Sequence, residues 1–184
     1  TTVCTGTTTL LTNVWYHVAA RRNSSGVCRV YLNGERDGSS ATKTDNLTNT
    51  SINIGEQYAG SQYFHGYIAD LRFRTESEYT TSYTPPTSPF SNTASTQLLM
   101  NNKSDANIYD AAASRKADLV GSTVTNNSVR KFTTSSSIYF PGPSAGTDGI
   151  LIVDDSGPMS KDQFLTSDFT IEFWMYPTSW FNGD

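Results

Sequence analysis

Apolar residues along this chain alternate as they do in β-strands, and the clearest case is a pair of strands between residues 14 and 34. Residues 14–22 contain no Gly or Pro and are rich in β-branched and aromatic residues, which favour a pleated strand. A turn ending at Gly26 leads into a second strand, residues 27–32, whose apolar face carries Cys28, Val30 and Leu32. Asn33-Gly34 follows, and this dipeptide is a strong signal for a tight hairpin turn.

Two further segments show the same alternation, at residues 64–73 and 168–177. The pattern assigns Tyr67, Ala69, Leu71 and Phe73 to one face of the first segment, and Phe169, Ile171, Phe173 and Met175 to one face of the second. Shorter strands are predicted at 1–9, 51–55, 97–100, 129–132, 137–140 and 149–154, and a polar loop at 37–50. No apolar period of 3.6 residues is sustained, so the predicted fold class is all-β. The side chains expected to be largely buried are Trp15, Val18, Val30, Leu32, Leu71, Phe73, Ile171 and Phe173.

Three of these segments together resemble a known family. They are Trp15-x-His17-Val18-Ala19 followed by the sequence VYLNG at 30–34, the sequence GYIADLRF at 66–73, and the sequence FTIEFW at 169–174. They resemble laminin-G-like domains of the concanavalin A-like lectin/glucanase superfamily. The resemblance implies an antiparallel jelly-roll sandwich and a function in binding at a surface, without specifying a ligand.

The order of these segments differs from that of the family, in which the FTIEFW-like strand precedes the WYHVA-like hairpin. Residues 1–83 resemble the second half of such a sandwich and residues 97–184 resemble the first half, with a Pro-, Ser- and Thr-rich linker at 84–96. Either the chain spans the end of one tandem repeat and the start of the next, or its halves form one circularly permuted sandwich. The start without Met and the abrupt end favour the tandem arrangement.

Composition and charge exclude several classes of function. The net charge is −4 with no run of Lys and Arg, so the electrostatic signature of nucleic-acid binding is missing. No apolar stretch approaches the roughly 20 residues that cross a bilayer, which argues against membrane insertion. Only 16% of residues are charged, and this polar, weakly charged composition is typical of extracellular or virion β proteins. Two free thiols, Cys4 and Cys28, are favoured over a single bridge.

Catalysis is not expected. Glycoside hydrolysis needs two carboxylates about 5–9.5 Å apart, whereas Glu172 has no acidic partner at the next position of its face. Asp70 is interpreted as a structural aspartate held by backbone or by an arginine. The two histidines, His17 and His65, lie in predicted strands and form no recognisable catalytic or zinc-binding pattern.

Two kinds of ligand site are nevertheless suggested. Calcium could bind the acidic loop residues, of which the candidates are Asp37, Asp45, Asp154 and Asp155, because hard cations prefer oxygen ligands. Glycans could stack on aromatic residues in polar, Gly-containing loops, and here the candidates are Tyr58, Tyr63 and Trp180. No cofactor is required.

The sequence therefore predicts a non-enzymatic structural and adhesive module of a repetitive surface or virion protein, such as a fibre or appendage. Its expected partners are glycans, cell-surface or virion proteins, and neighbouring copies or repeats of itself. A purely architectural module without a ligand is the alternative, and a glycan hydrolase is the third interpretation.

Overall fold

The structure is a computed structural model that describes residues 4–44, 54–55, 63–101, 109–112, 115–142, 149–152 and 168–180. The described residues contain β-strands and no helix, and accordingly none of them forms a helix that could span a membrane. The strands are β1 (Tyr16–Arg22), β2 (Val27–Leu32), β3 (Glu35–Thr42), β4 (His65–Arg74), β5 (Thr96–Met100), β6 (Tyr109–Asp110), β7 (Arg115–Val120), β8 (Val124–Asn126), β9 (Ser137–Pro141), β10 (Gly149–Ile152) and β11 (Phe169–Pro177).

Most of these strands form one large antiparallel sheet in the order β3-β2-β1-β11-β4-β9-β8, with β5 also paired to β4. The strand β11 lies between β1 and β4, so a strand from near the end of the chain is hydrogen-bonded on both sides to strands from its first half. A second, three-stranded sheet has the order β10-β7-β6.

The hydrophobic core lies on one face of the large sheet, which the second sheet helps to cover. Its buried members are Ile68, Leu71, Phe73, Leu98, Met100, Ile138, Phe140 and Ile150, and the last of these belongs to β10. Leu119 of β7 packs against the same cluster. The chain is thus an antiparallel β-sandwich-like fold, which confirms the predicted all-β fold class.

A β-bulge at Asp70 changes which residues of β4 share a face. Glu172 pairs with Arg72, but Trp174 pairs with Ala69, so β4 has one extra residue opposite Phe173. Asp70 takes a left-handed conformation there, with φ of 57°. Because alternation shifts at the bulge, Leu71 and Phe73 share the core with Ile68, while Ala69 packs on the other face. The prediction that Tyr67, Ala69, Leu71 and Phe73 share one face of the strand is therefore wrong.

Other local predictions are also corrected. Residues 4–9 form no strand, and the predicted loop at 37–50 begins inside β3 (Glu35–Thr42). Residues 129–132 form no strand either, whereas β8 and β7, which lie nearby, were not predicted. Most of the strand predicted at 51–55 lies outside the described residues. Both cysteines carry free thiols.

Burial differs from expectation because the face expected to form the core is only partly covered at β1, β2 and β11, whereas the opposite face is more closely packed. Of the eight side chains expected in the core, Leu71 and Phe73 are buried. The other six are half-buried, namely Trp15, Val18, Val30, Leu32, Ile171 and Phe173. On β2 it is Tyr31, on the opposite face, that is buried. On β11 the opposite face, Thr170, Glu172 and Trp174, is likewise the more buried one.

Candidate functional site

The face of the large sheet opposite the core has two regions, and the first is covered by residues 75–95, here called the strap. The strap joins β4 to β5 and is closed at its ends by a hydrogen bond from the Thr75 N–H to the Ser95 carbonyl (2.9 Å). It is also held at Gly34, whose carbonyl accepts a hydrogen bond from the Tyr83 N–H (3.0 Å). A side chain at Gly34 would collide with the Tyr83 carbonyl, so only glycine permits this approach. Residues 84–95 of the segment predicted as a linker belong to this strap.

Beneath the strap, Glu172 is completely buried and fully engaged. Arg72 donates two hydrogen bonds to Glu172 Oε1, from Nε at 2.9 Å and Nη2 at 2.7 Å, and the Tyr79 hydroxyl donates to Oε2 at 2.5 Å. Burial raises the pKa of Glu172, but the His17 imidazole, the Arg72 charge and the Tyr79 hydroxyl together lower it below its usual value. His17 Nε2 lies 3.6 Å from Oε2, beyond hydrogen-bonding distance. Glu172 is therefore an ionised structural group that solvent and substrate do not reach.

Asp70 is a structural residue of the same region, as predicted. Its Oδ2 accepts a hydrogen bond from the Phe90 N–H of the strap at 2.8 Å. Burial raises the pKa of Asp70 to about 7, against the lowering effects of this N–H and of Arg72. The other oxygen, Oδ1, has no hydrogen-bond partner among the described residues. The hydrogen bonds of Asp70 and Glu172 described above are thus all made within the chain.

The second region of this face carries a row of aromatic rings, here called the aromatic row, formed by Trp15, Tyr176, Tyr67 and Tyr139. Tyr176 pairs with Tyr67, and Tyr67 pairs with Tyr139, so β11, β4 and β9 each place one ring at the same level. Trp15 immediately precedes β1 and extends the row by one strand. The ring centres are 5.4 Å apart for Trp15 and Tyr176, 5.9 Å for Tyr176 and Tyr67, and 4.8 Å for Tyr67 and Tyr139.

Each residue of the aromatic row is half-buried, so each is partly accessible to solvent. Successive rings are tilted rather than coplanar, with interplanar angles of 36° to 70°. No described residue hydrogen-bonds the hydroxyl of Tyr67 or Tyr176, and neither oxygen is among the buried polar atoms that lack a partner. Burial and the neighbouring tyrosines raise the pKa of Tyr67, so its hydroxyl stays protonated and can donate.

A polar group closes one end of the aromatic row. The Tyr139 hydroxyl lies 3.3 Å from His65 Nε2, and the other ring nitrogen of His65 is in contact with the Ser179 hydroxyl. The Thr178 N–H also donates to the His65 carbonyl at 3.0 Å. His65 therefore connects β4 to residues 178–179, which follow β11.

Exposed apolar side chains flank the aromatic row. Within the described residues, the large hydrophobic side chains that are exposed are Leu11, Val14, Val124 and Trp180. Val124 pairs with Tyr139 at one end of the row. At the other, the Asn13 N–H donates to the Pro177 carbonyl at 2.7 Å, which holds residues 11–15 beside the end of β11. Val124 thus lies beside one end of the row, and Leu11 and Val14 belong to the segment held at the other end.

The structure places the predicted site residues as follows. Trp180 is 45% exposed and follows the end of β11, near Tyr176 in the sequence. Tyr63 is half-buried just before β4. Tyr58, Asp45, Asp154 and Asp155 lie outside the described residues. These four, with Tyr63 and Trp180, remain predictions.

Asp37, the remaining calcium candidate, is engaged by the chain itself. Its Oδ1 accepts hydrogen bonds from Thr7 and Thr8, each through its N–H and its hydroxyl, at 2.9 to 3.1 Å. Burial works to raise the pKa of Asp37, and these donors lower it overall. No group of three or more metal-ligating side chains occurs in the described part of the chain. Calcium binding at Asp37 remains a prediction.

The aromatic row itself was missed from the sequence. Trp15 was assigned to the core, and Tyr67 to the face of Leu71 and Phe73, because strict alternation ignores the bulge at Asp70. One local feature of the sequence points toward the row: Tyr67 and Tyr176 each lie within three residues of a strand end, where loops leave side chains more accessible. The pairing that brings them side by side joins residues more than 100 positions apart and is not visible in local patterns.

Comparison with known proteins supports the resemblance for part of the chain. The family model Laminin_G_3, of the concanavalin A-like lectin/glucanases superfamily, matches residues 1–77. No curated protein and no solved structure matches the chain. The matched segment includes Trp15 and Tyr67 and ends before Tyr139 and Tyr176. The match supports a carbohydrate- or protein-binding module in general, and laminin-G-like domains are generally non-enzymatic and typically extracellular.

Proposed function

We propose that this chain is a non-enzymatic glycan-binding module of a surface or virion protein, and that the aromatic row is its binding face. The observation that carries the proposal is the pairing of Tyr176 with Tyr67 and of Tyr67 with Tyr139. This pairing lines up partly exposed rings across neighbouring strands, at a spacing close to the length of one pyranose residue. A short sugar chain running across the strands would meet a ring at each unit.

The chemistry of the rings suits a sugar. A pyranose has apolar C–H faces and a rim of hydroxyls, and a tyrosine offers an apolar ring with a polar tip. The hydroxyls of Tyr67 and Tyr176, which no described residue engages, can bond the rim while the rings pack against the faces. The tilt between rings favours a twisted chain over a flat crystalline surface.

Hydrolysis is not supported by this arrangement. No carboxylate belongs to the aromatic row, and Glu172, the acidic residue of the FTIEFW segment, is enclosed beneath the strap. An ionised carboxylate held by Arg72 and Tyr79 can serve neither as a proton donor nor as an accessible nucleophile.

We further propose that the two halves of the chain complete one permuted sandwich. The pairing of β11 with both β1 and β4 supports this arrangement over the tandem one, because β11 then has both its hydrogen-bonding edges filled from within the chain. The division into residues 1–83, 84–96 and 97–184 would then describe segments of one domain.

A purely architectural role is the second candidate. The exposed side chains of Leu11, Val14 and Trp180 favour it, because an apolar patch at one end of a sheet can also pack against a neighbouring copy. An architectural module would associate with copies of itself through this end and bind no sugar.

A glycan array probed with the full chain, followed by titration calorimetry on the best oligosaccharide, tests glycan binding. Tyr67→Ala and Tyr176→Ala should each weaken binding by roughly tenfold, the loss of one stacking contact. The matched controls Tyr67→Phe and Tyr176→Phe keep the ring and should retain most of the affinity. An array without binding, or alanine variants that bind like the parent while remaining folded by circular dichroism, would refute the proposal.

A further inference from the structure

A lysine lies beside the aromatic row on the same face of the sheet. Lys131 Nζ is 3.7 Å from the centre of the Trp174 ring, a distance typical of a cation–π contact. Trp174 precedes Tyr176 by two residues on β11, so both side chains point to the same face. Trp15, the first ring of the row, packs against the cluster that contains Trp174, Ala69 and Phe132. The ammonium group is therefore adjacent to the rings that are proposed to hold a sugar.

Among the described residues, the charge of Lys131 has no carboxylate that balances it. In the part of the chain that the structure describes, no carboxylate forms an ion pair or a hydrogen bond with Lys131. The acidic residues of the strap region are engaged elsewhere: Glu172 pairs with Arg72, and Glu76 and Glu78 pair with Arg74. Lys131 is half-buried, and this burial lowers its pKa from the usual value.

A partly desolvated cation without a counter-charge attracts an anion supplied from outside. Removing water from the ammonium costs free energy, and the Trp174 ring offsets only part of this cost. An anionic group bound close by would offset more of it. Electrostatic complementarity of this kind contributes mainly to specificity between otherwise similar ligands. The neighbouring Arg130 is exposed, so water and salt screen its charge.

We propose that Lys131 makes the aromatic row selective for acidic glycans, with the rings holding the sugar and the ammonium pairing with a carboxylate or sulfate on it. This inference rests on the proposed glycan-binding function and names its ligand class. Carboxylate and sulfate share the chemistry that the site requires, and matched oligosaccharides distinguish them.

The experiment uses the full chain and two backbone-matched pairs of probes. One pair is an oligogalacturonide and its methyl ester, and the other is a sulfated galactan oligosaccharide, which contains no uronic acid, and its desulfated form. The parent protein should bind the acidic member of at least one pair about tenfold more tightly than the neutral member at low salt, and the preference should shrink at high salt. The pair that shows the preference identifies carboxylate or sulfate as the group recognised.

Three variants assign the preference to Lys131. Lys131→Met keeps the length and removes the charge, so it should reduce the ratio of acidic to neutral affinity to about one. Lys131→Arg should retain the preference, and the exposed neighbour variant Arg130→Met should change it by less than about twofold. Circular dichroism and unfolding curves confirm that each variant is folded.

The outcomes separate this inference from the function beneath it. If neutral and acidic members bind equally, or if Lys131→Met keeps the preference, Lys131 has only a packing role and the inference is overturned. If no member of either pair binds, and the glycan array is also empty, the glycan-binding function fails and the inference falls with it.

Discussion

Replacing Glu172 by Gln is expected to destabilise the fold without affecting glycan binding. The substitution keeps the size of the side chain but removes the negative charge that Arg72 faces beneath the strap. Arg72 is 7% exposed and Glu172 is fully buried, so water cannot replace the lost partner. The aromatic row contains neither residue, which separates the stability effect from ligand binding.

The magnitude follows from the contacts of the pair. Breaking a buried ion pair by neutralising one partner costs about 3–5 kcal/mol, because an uncompensated charge remains buried. Arg72 keeps two other contacts, a hydrogen bond to the Ser91 carbonyl at 3.1 Å and the Phe90 ring at 4.4 Å. These contacts place the expected loss near the lower end, about 3 kcal/mol of the free energy of unfolding.

Two further variants test whether the charge is the cause. Tyr79→Phe removes one hydrogen bond to the same carboxylate and should cost about 1.5–3 kcal/mol. The double variant Arg72→Met/Glu172→Gln removes both charges, so it should be more stable than the sum of its single effects predicts. This non-additivity of the two substitutions is expected when both charges of an ion pair are buried.

Urea unfolding followed by tryptophan fluorescence measures these differences, with the slope of each curve showing whether the unfolded states are comparable. A loss below about 1 kcal/mol for Glu172→Gln, or strictly additive effects in the double variant, would show that the pair is not buried as described. The stabilisation by Glu172 should also be present above pH 4.5 and be lost as the pH falls through its lower folded pKa.

The remaining predictions concern pH and assembly. The raised pKa of Asp70 means that the folded state holds its proton more tightly than the unfolded state between about pH 4 and 7, so stability falls as the pH rises through this window. The Arg72 charge lowers the pKa of Asp70 and the Glu172 charge raises it. Asparagine also tolerates a left-handed backbone, so Asp70→Asn should keep the bulge. Its free energy of unfolding in urea should rise by up to about 4 kcal/mol at pH 8 and change little at pH 4. A variant no more stable at pH 8 than the parent would contradict this assignment. Residues 1–83 and 97–184 should each fail to fold alone and should recover a folded 1:1 complex when mixed, as size-exclusion chromatography and circular dichroism would show. A half that folds by itself would refute the single permuted sandwich, because β11 fills the gap between β1 and β4.

The strap determines which part of the large sheet is covered on the face opposite the core. Residues 75–95 cover the face of β1, β11 and β4 that the second sheet does not cover, and they do so with tyrosines that stack at 3.6 Å, Tyr79 and Tyr83. The same segment leaves the aromatic row uncovered. The division of one sheet face into a closed polar region and an open aromatic region is therefore set by where the strap ends.

Several features of this protein follow from local sequence alone. Alternation and β-propensity identified the strands at 16–22, 27–32, 65–74 and 169–177, and Asn33-Gly34 identified the turn between β2 and β3. The absence of a helical period indicated the all-β class, and the laminin-G-like motifs indicated the resemblance that the family model supports for residues 1–77. These predictions succeed because side-chain alternation and turn preference depend on residues close together in the chain.

Only the tertiary structure decided which faces and which residues form the site. The bulge at Asp70 reverses the alternation of β4, and it is defined by the register of β4 against β11, about 100 residues away in sequence. The same pairing brings Tyr67 beside Tyr176, and that of β9 adds Tyr139. Strand register depends on the partner strand as much as on the strand itself, so a sequence read one segment at a time shows the aromatic residues but not the row they form.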